Sequence, residues 1–123
     1  MKNGEPITIL FVDDNEELQT TISRTMIDEG YNIILASDGE QAIDKLQKEI
    51  VHLVLLDLNI PKIDGWKVLA FVKRQFPNIR VLIFTAYGNL TNSIRAKKEG
   101  ADEFLEKPFD MGEIINIIKR YYN

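Results

Sequence analysis

The stretch Val51-His52-Leu53-Val54-Leu55-Leu56-Asp57 constrains the fold of this chain more than any other. A short run that is apolar nearly throughout is a strand buried on both faces, which is the habit of a parallel sheet covered by helices on either side. It ends on a carboxylate and is followed by Leu58-Asn59-Ile60-Pro61, where proline cannot continue a ladder. A charged group is costly to desolvate, so the cheap place for it on such a strand is the mouth, open to water, a cation or a ligand. Asp57 is the first functional candidate, although this stretch alone reads better as a solvated aspartate that starts a loop.

The rest of the chain repeats the pattern. Ile7 to Val12 is β-rich and ends on Asp13-Asp14, and from Asn15 to Glu29 the spacing turns helical, with Leu18, Ile22 and Met26 on one face. Asp14 or Asn15 caps that helix, and Gly30 stands where a left-handed end falls. Tyr31 to Ala36 is a second strand, and Ser37-Asp38-Gly39-Glu40 offers a capping box to a helix with Ala42, Ile43, Leu46 and Ile50 inward. A third helix opens near Asp64-Gly65, carries Trp66, Leu69, Val72 and Phe76, and stops at Pro77. The fourth strand, Ile79 to Phe84, leads to Thr85-Ala86. A weakly amphipathic helix from Asn89 to Glu99 sets Leu90, Ile94 and Ala96 against Arg95, Lys97 and Lys98. A short strand at Asp102 to Leu105 precedes Glu106-Lys107-Pro108, and Asp110 caps a last helix with Ile114, Ile115, Ile117, Ile118 and Tyr121.

Five strands alternating with five helices predict one α/β domain over residues 1–123, a doubly wound, flavodoxin-like parallel sheet. In such sheets ligands bind outside the carboxyl ends of the strands, where strand order reverses. With the order 2-1-3-4-5, strands one and three are neighbours there, and their ends are Asp13-Asp14 and Asp57. Three carboxylates so placed repel one another unless a cation offsets them. Oxygen ligands with room for water suit Mg²⁺. Thr85 and Lys107, at two further strand ends, add a hydroxyl and an ammonium suited to phosphoryl oxygens. Asp57 then reads as a nucleophile that forms an acyl phosphate. Each residue has a plainer reading: Asp13-Asp14 as helix caps, Thr85 as a strand end, Lys107 as a surface lysine. Four of them at four strand mouths are hard to explain that way.

Composition narrows the alternatives. The chain has no cysteine and one histidine, His52, which excludes disulfides, thiolate chemistry and a multi-histidine metal site. His52 itself reads as a packed histidine at a strand start. A net charge of -4 offers no basic field for nucleic acid. No apolar run reaches the roughly 18 residues of a membrane span, and residues 1–6 lack a signal-peptide core, so a cytoplasmic protein is expected.

Asp13-Asp14, Asp57 with Pro61 and Gly65, Thr85-Ala86 and Lys107-Pro108, in that order and spacing, resemble the signature of the receiver domain of two-component response regulators, across about residues 7 to 122. The resemblance implies phosphorylation of Asp57 by a phosphohistidine, with Asp13, Asp14, Asp57 and the carbonyl of Asn59 around Mg²⁺. Lys107 and Thr85 would contact the phosphoryl group, and the Lys107-Pro108 peptide would be cis. It implies a switch through Thr85 and Phe104. Phe104 lacks a polar tip, so that switch would act by packing, and a plain core phenylalanine is an equal reading. Partners would be a histidine kinase or a histidine phosphotransfer protein, and the chain is expected to be a monomer. With nothing left for an output domain after Tyr122, it resembles stand-alone receivers of the sporulation phosphorelay kind. The implied docking surface is Asn15, Leu18, Thr21, Tyr87, Pro108 and Phe109. Leu18 reads equally as an inward helix residue, and Tyr87 as a shield of the acyl phosphate from water.

Three other readings compete. A haloacid-dehalogenase-like phosphohydrolase also uses a strand-end Asp with Mg²⁺, but wants a second acid two positions on, where this chain has Asn59. A flavin carrier would meet repulsion between Asp13-Asp14-Asn15-Glu16 and the flavin phosphate. A pure interaction module would have no use for the complete site.

Overall fold

The computed structural model describes residues 5–86 and 88–122. Five strands and five helices alternate: β1 Thr8–Val12, α1 Glu16–Asp28, β2 Asn32–Ala36, α2 Gly39–Lys48, β3 Leu53–Asp57, α3 Gly65–Gln75, β4 Arg80–Thr85, α4 Leu90–Lys98, β5 Glu103–Glu106 and α5 Met111–Tyr122. All pairs are parallel and the order is β2-β1-β3-β4-β5, as the sequence predicts. Among the described residues no helix is long and apolar enough to cross a membrane.

Successive side chains of a strand point to opposite faces, so each inner strand feeds two cores. Leu53 and Leu55 join Phe11, Phe84, Ile22, Met26, Ile114 and Ile118 under α1 and α5. Val54 and Leu56 join Val12, Ile83, Leu46, Leu69, Val72 and Ala96 under α2, α3 and α4. All five residues of β3 are buried. This alternation also aims the strand ends: Asp13, Asp57 and Lys107 share the parity of Phe11, Leu55 and Leu105, on the α1/α5 side. Thr85 has the parity of Ile83 and belongs to the other face.

Helix starts follow from short polar caps whose oxygen accepts an otherwise unpaired amide. Asn15 accepts from the amide of Leu18, Asp64 from Lys67, and Asn89 from Asn92. The cap of α2 is Asp38, which accepts from the amide of Gln41, while Oε1 of Gln41 accepts from the amide of Ser37. The capping box expected from Ser37 and Glu40 therefore lies one residue later. Gly30 ends α1 at φ 91°, as expected.

Two inward assignments are corrected. Ile50 is 81% exposed, because α2 ends at Lys48 and helical spacing no longer governs a residue beyond an extended cap. On α4, Leu90 and Ile94 are 76% and 46% exposed while Ala96 is buried. Residues 94 and 96 stand two positions apart, on opposite sides of a helix, so one face cannot bury both. The helix buries the face of Asn92, Ser93 and Ala96 instead.

Candidate functional site

The carboxyl ends of β1, β3 and β5 meet around one ammonium. The Nζ of Lys107 lies 2.7 Å from Oδ2 of Asp13 and 3.1 Å from Oδ2 of Asp57. Both acids are buried, 1% and 5% exposed. The second oxygen of each is also engaged: the amide of Asn15 donates to Oδ1 of Asp13 at 2.9 Å, and the amide of Asn59 to Oδ1 of Asp57 at 3.1 Å. Every oxygen taken from water thus has a donor, which a buried charge requires.

Lys107 reaches the acids because β4 holds it from two sides. Its amide donates to the carbonyl of Thr85 at 2.9 Å, extending the ladder past β5, and its ammonium stands 5.2 Å from the ring centroid of Phe84. Phe84 stacks on Phe11 at 5.3 Å and meets Phe109 edge-on at 5.4 Å, so an aromatic floor lies under the site. The Lys107-Pro108 peptide is cis. Gly65 lets the β3–α3 loop fold back on Asp57, since a Cβ there would lie 2.7 Å from the carbonyl oxygen of Asp57 and 2.5 Å from the α-carbon of Leu58.

Burial, the largest influence, pushes the Asp57 carboxyl above the ordinary carboxylate value, against the amide of Asn59 and the charge of Lys107, which hold it down. For Lys107 burial favours the neutral amine, but the hydrogen bonds and charges of Asp13 and Asp57 outweigh it and raise the ammonium above the usual lysine value. A buried carboxylate of raised basicity with a cation fixed beside it is arranged to attack an electrophile whose developing charge that cation can meet.

Asp14 follows Asp13 at the same strand end. It is exposed, and among the described residues no three acidic, His or Cys side chains form a group able to hold a metal ion. Two buried acids share the Lys107 charge, and the third lies beyond the ladder in solvent, where an acid is least costly. The donor set still fits Mg²⁺, which accepts one or two carboxylates and keeps several waters. Thr85 is fully buried at the end of β4, on the face opposite Asp57, and Phe104 is half-buried beside Ile83 in the α2/α3/α4 core. His52 is a structural residue, accepting from the amide of Thr8 at 2.9 Å through Nδ1.

Two clefts flank Lys107. One of about 660 Å³ is lined by Asn15, Glu17, Leu18, Thr20, Thr21 and Lys107. The other, about 400 Å³, has walls of Leu18, Ala86, Lys107, Pro108, Phe109 and Met111. Leu18 belongs to both clefts and also packs, half-buried, on the α1/α5 core, so it is at once an inward residue and the wall between two surface hollows. Tyr87 lies outside the described residues. Gln19 escaped the sequence reading: its Nε2 donates to the carbonyl of Asp13 at 2.7 Å and to Oγ of Ser37 at 3.0 Å, tying the ends of β1 and β2. Its only signal was a polar residue one turn after the cap.

Against known proteins, the family model described as response regulator receiver domain matches residues 9–119. The sporulation initiation phosphotransferase F of Bacillus subtilis is 42% identical over 113 residues, 92% of this chain and 91% of that protein. The response regulator protein FleR of Pseudomonas aeruginosa is 30% identical over 92% of this chain, which spans 24% of FleR's length. The crystal structure of a CheY-like receiver domain protein from Methanospirillum hungatei superposes with a TM-score of 0.90 at 26% identity, covering 94% of this chain and 93% of that one.

Proposed function

We propose, from the premise that this chain belongs to the response regulator receiver domain family, that Asp57 is the residue that takes up phosphate and that residues 1–123 work as one receiver unit. Receivers are phosphoacceptors that relay a signal and are not turnover enzymes, and this chain is a phosphoacceptor response regulator. The observation that carries the assignment to Asp57 is the Lys107 ammonium set between two buried strand-end carboxylates.

A carboxylate oxygen of Asp57 attacks the phosphorus of a phosphohistidine. The new O–P bond forms as the P–N bond breaks, and the bonding pair goes to the imidazole nitrogen, which takes a proton from water. Lys107, already within hydrogen-bond distance of Asp57, donates to a phosphoryl oxygen and holds it in place. The amide of Asn59 holds the other Asp57 oxygen during attack. Receivers generally bind Mg²⁺ at this acidic pocket. Here Asp13, Asp57 and the Asn59 carbonyl would hold it, with the exposed Asp14 beside them, and the ion would supply positive charge to offset that of the transferring group. The phosphoryl group then draws on Thr85, whose burial next to β5 lets its movement reach Phe104 through packing alone.

The donor is a histidine kinase or a histidine phosphotransfer protein that seats in the clefts around Leu18, Pro108 and Phe109, with Asn15 and Thr21 at the margin. Likeness to a sporulation phosphotransferase supports onward transfer to a second histidine. The phosphohydrolase reading is not favoured, since the residue two positions after Asp57 is Asn59, whose carboxamide cannot serve as the second acid and base. The test follows labelled phosphate from a phosphorylated histidine protein to this chain and back, with and without chelator. Transfer that is lost on chelation and in Asp57→Asn supports the proposal, and steady release of phosphate from small phosphoesters overturns it.

A further inference from the structure

Two of the five large apolar side chains exposed among the described residues belong to one end of the strand order, Leu35 on β2 and Ile27 in the last turn of α1 just before it. A third, Ile50 just past α2, lines one hollow with Thr8, Asn32 and Ile34 at the start of β1 and β2, and another with Phe76, Pro77 and Ile79. Among the described residues β2 pairs only with β1, and no strand lies on its other side. Sheet edges are usually guarded by charge, proline, a bulge or shortness. The opposite edge, β5, obeys this rule, with four residues and a glutamate at each end. The sequence of β2, Asn32-Ile33-Ile34-Leu35-Ala36, carries none of these guards.

The ladder fixes what this edge offers. The amide of Asn32 donates to the carbonyl of Ile7 and the amide of Asp13 to the carbonyl of Ala36, so Asn32, Ile34 and Ala36 turn their backbone groups toward β1. Ile33 and Leu35 therefore direct an N–H and a C=O outward. We propose that a second copy of this chain docks here, β2 against β2 and antiparallel, joining the two sheets into one. A twofold axis at Ile34 sets Ile33 opposite Leu35 of the partner subunit in reciprocal hydrogen-bonded pairs and leaves the two Ile34 residues facing at roughly 4.5 Å between α-carbons. The flanking helices are self-complementary in charge under that axis. α1 carries exposed Arg24 and Asp28 one turn apart, and α2 carries Asp44 and Lys48, paired at 3.0 Å along its exposed face. Helices that meet their own copies in reverse direction oppose unlike charges. Asp57 and the Lys107 ammonium meet at the carboxyl ends of the strands, two strands in from this edge, so both stay open to a donor. This departs from the monomer that the sequence suggested, because hydrophobic spacing within one chain carries no signal for pairing between copies.

Sedimentation of the full chain over a wide concentration range reads the association. The expected result is a concentration-dependent dimer whose dissociation constant rises by at least about tenfold both in Leu35→Pro, which removes an outward amide, and in Leu35→Lys, which keeps it and adds a charge. Uptake of phosphate from acetyl phosphate by each variant serves as the check of folding. Because the chain has no native cysteine, Ile34→Cys reports the axis directly by forming a symmetric disulfide on mild oxidation. A cysteine in place of Leu90 on α4, 76% exposed, is expected not to cross-link. A chain that stays monomeric throughout, dimers of undiminished strength in Leu35→Lys, or equal cross-linking through position 90 would each overturn the proposal.

Discussion

Replacing Lys107 by methionine keeps the length of the side chain and removes the charge that Asp13 and Asp57 share. At 2.7 and 3.1 Å each ion pair is worth about 5–6 kcal/mol of direct attraction at an effective dielectric constant of 20, most of it offset by the desolvation of all three groups. Breaking a buried pair costs about 3–5 kcal/mol, and relief by protonation of one acid lowers the expected loss here to about 2–4 kcal/mol at pH 7. The sign with pH is specific. With Lys107 gone, Asp57 loses two of the influences that hold its carboxyl down, and its folded pKa rises further above the unfolded value. Below the unfolded value the Asp57 carboxyl is neutral and most of the deficit vanishes. It grows as pH rises toward the raised folded value and then levels off. At the alkaline end, the raised Lys107 ammonium of the parent stabilises the fold below the ordinary lysine value and loses that effect above it, so the deficit shrinks again. Urea unfolding of parent and variant at pH 5, 7 and 9 measures this. A deficit of the same size at pH 5 and 7 would refute the electrostatic account and leave only packing of the lysine stem.

Other positions yield further tests. Gly65→Ala would drive a Cβ against backbone atoms of Asp57 and Leu58, and is expected to cost about 1–3 kcal/mol in urea unfolding and to slow phosphoryl uptake; unchanged uptake would separate that loop from the site. Burial pushes the Tyr122 hydroxyl, which donates to the carbonyl of His52 at 2.7 Å, up to about 12. The neutral phenol therefore stabilises the fold below pH 10, and this is lost as pH rises through about 12, so one tyrosine should form phenolate late and together with unfolding. Leu18→Ala should slow transfer from a histidine phosphotransfer protein by about tenfold or more while leaving acetyl phosphate uptake near that of the parent, since Leu18 walls both clefts but touches neither acid; equal slowing of both would place it in the site itself.

Much of this molecule is legible in its sequence because the relevant signals are short-range. A two-sided apolar strand such as β3 can only lie inside a covered parallel sheet, and the parity that buries Leu55 also aims Asp57. Caps such as Asn15 and Asp64 declare themselves by residue type. What the sequence concealed depends on tertiary placement. Ile50 has the spacing of an inward residue and escapes only because α2 stops at Lys48. Asp14 follows Asp13 directly, yet one ends the ladder and the other is in solvent, so residue identity alone could not divide their roles. The partner of Asp13 proved to be an ammonium 94 residues away in the chain, and the polar tie from Gln19 spans two strand ends.

The central claim is that Asp57 alone receives the phosphoryl group. Its most direct test is the mass of the intact chain after incubation with acetyl phosphate and Mg²⁺, followed by borohydride trapping and peptide mapping of the acyl phosphate. The account predicts a gain of one phosphoryl group, carried by the peptide that contains Asp57 and absent from Asp57→Asn or after chelation. An equal gain in Asp57→Asn, or a phosphoryl group mapped to Asp13, would contradict it.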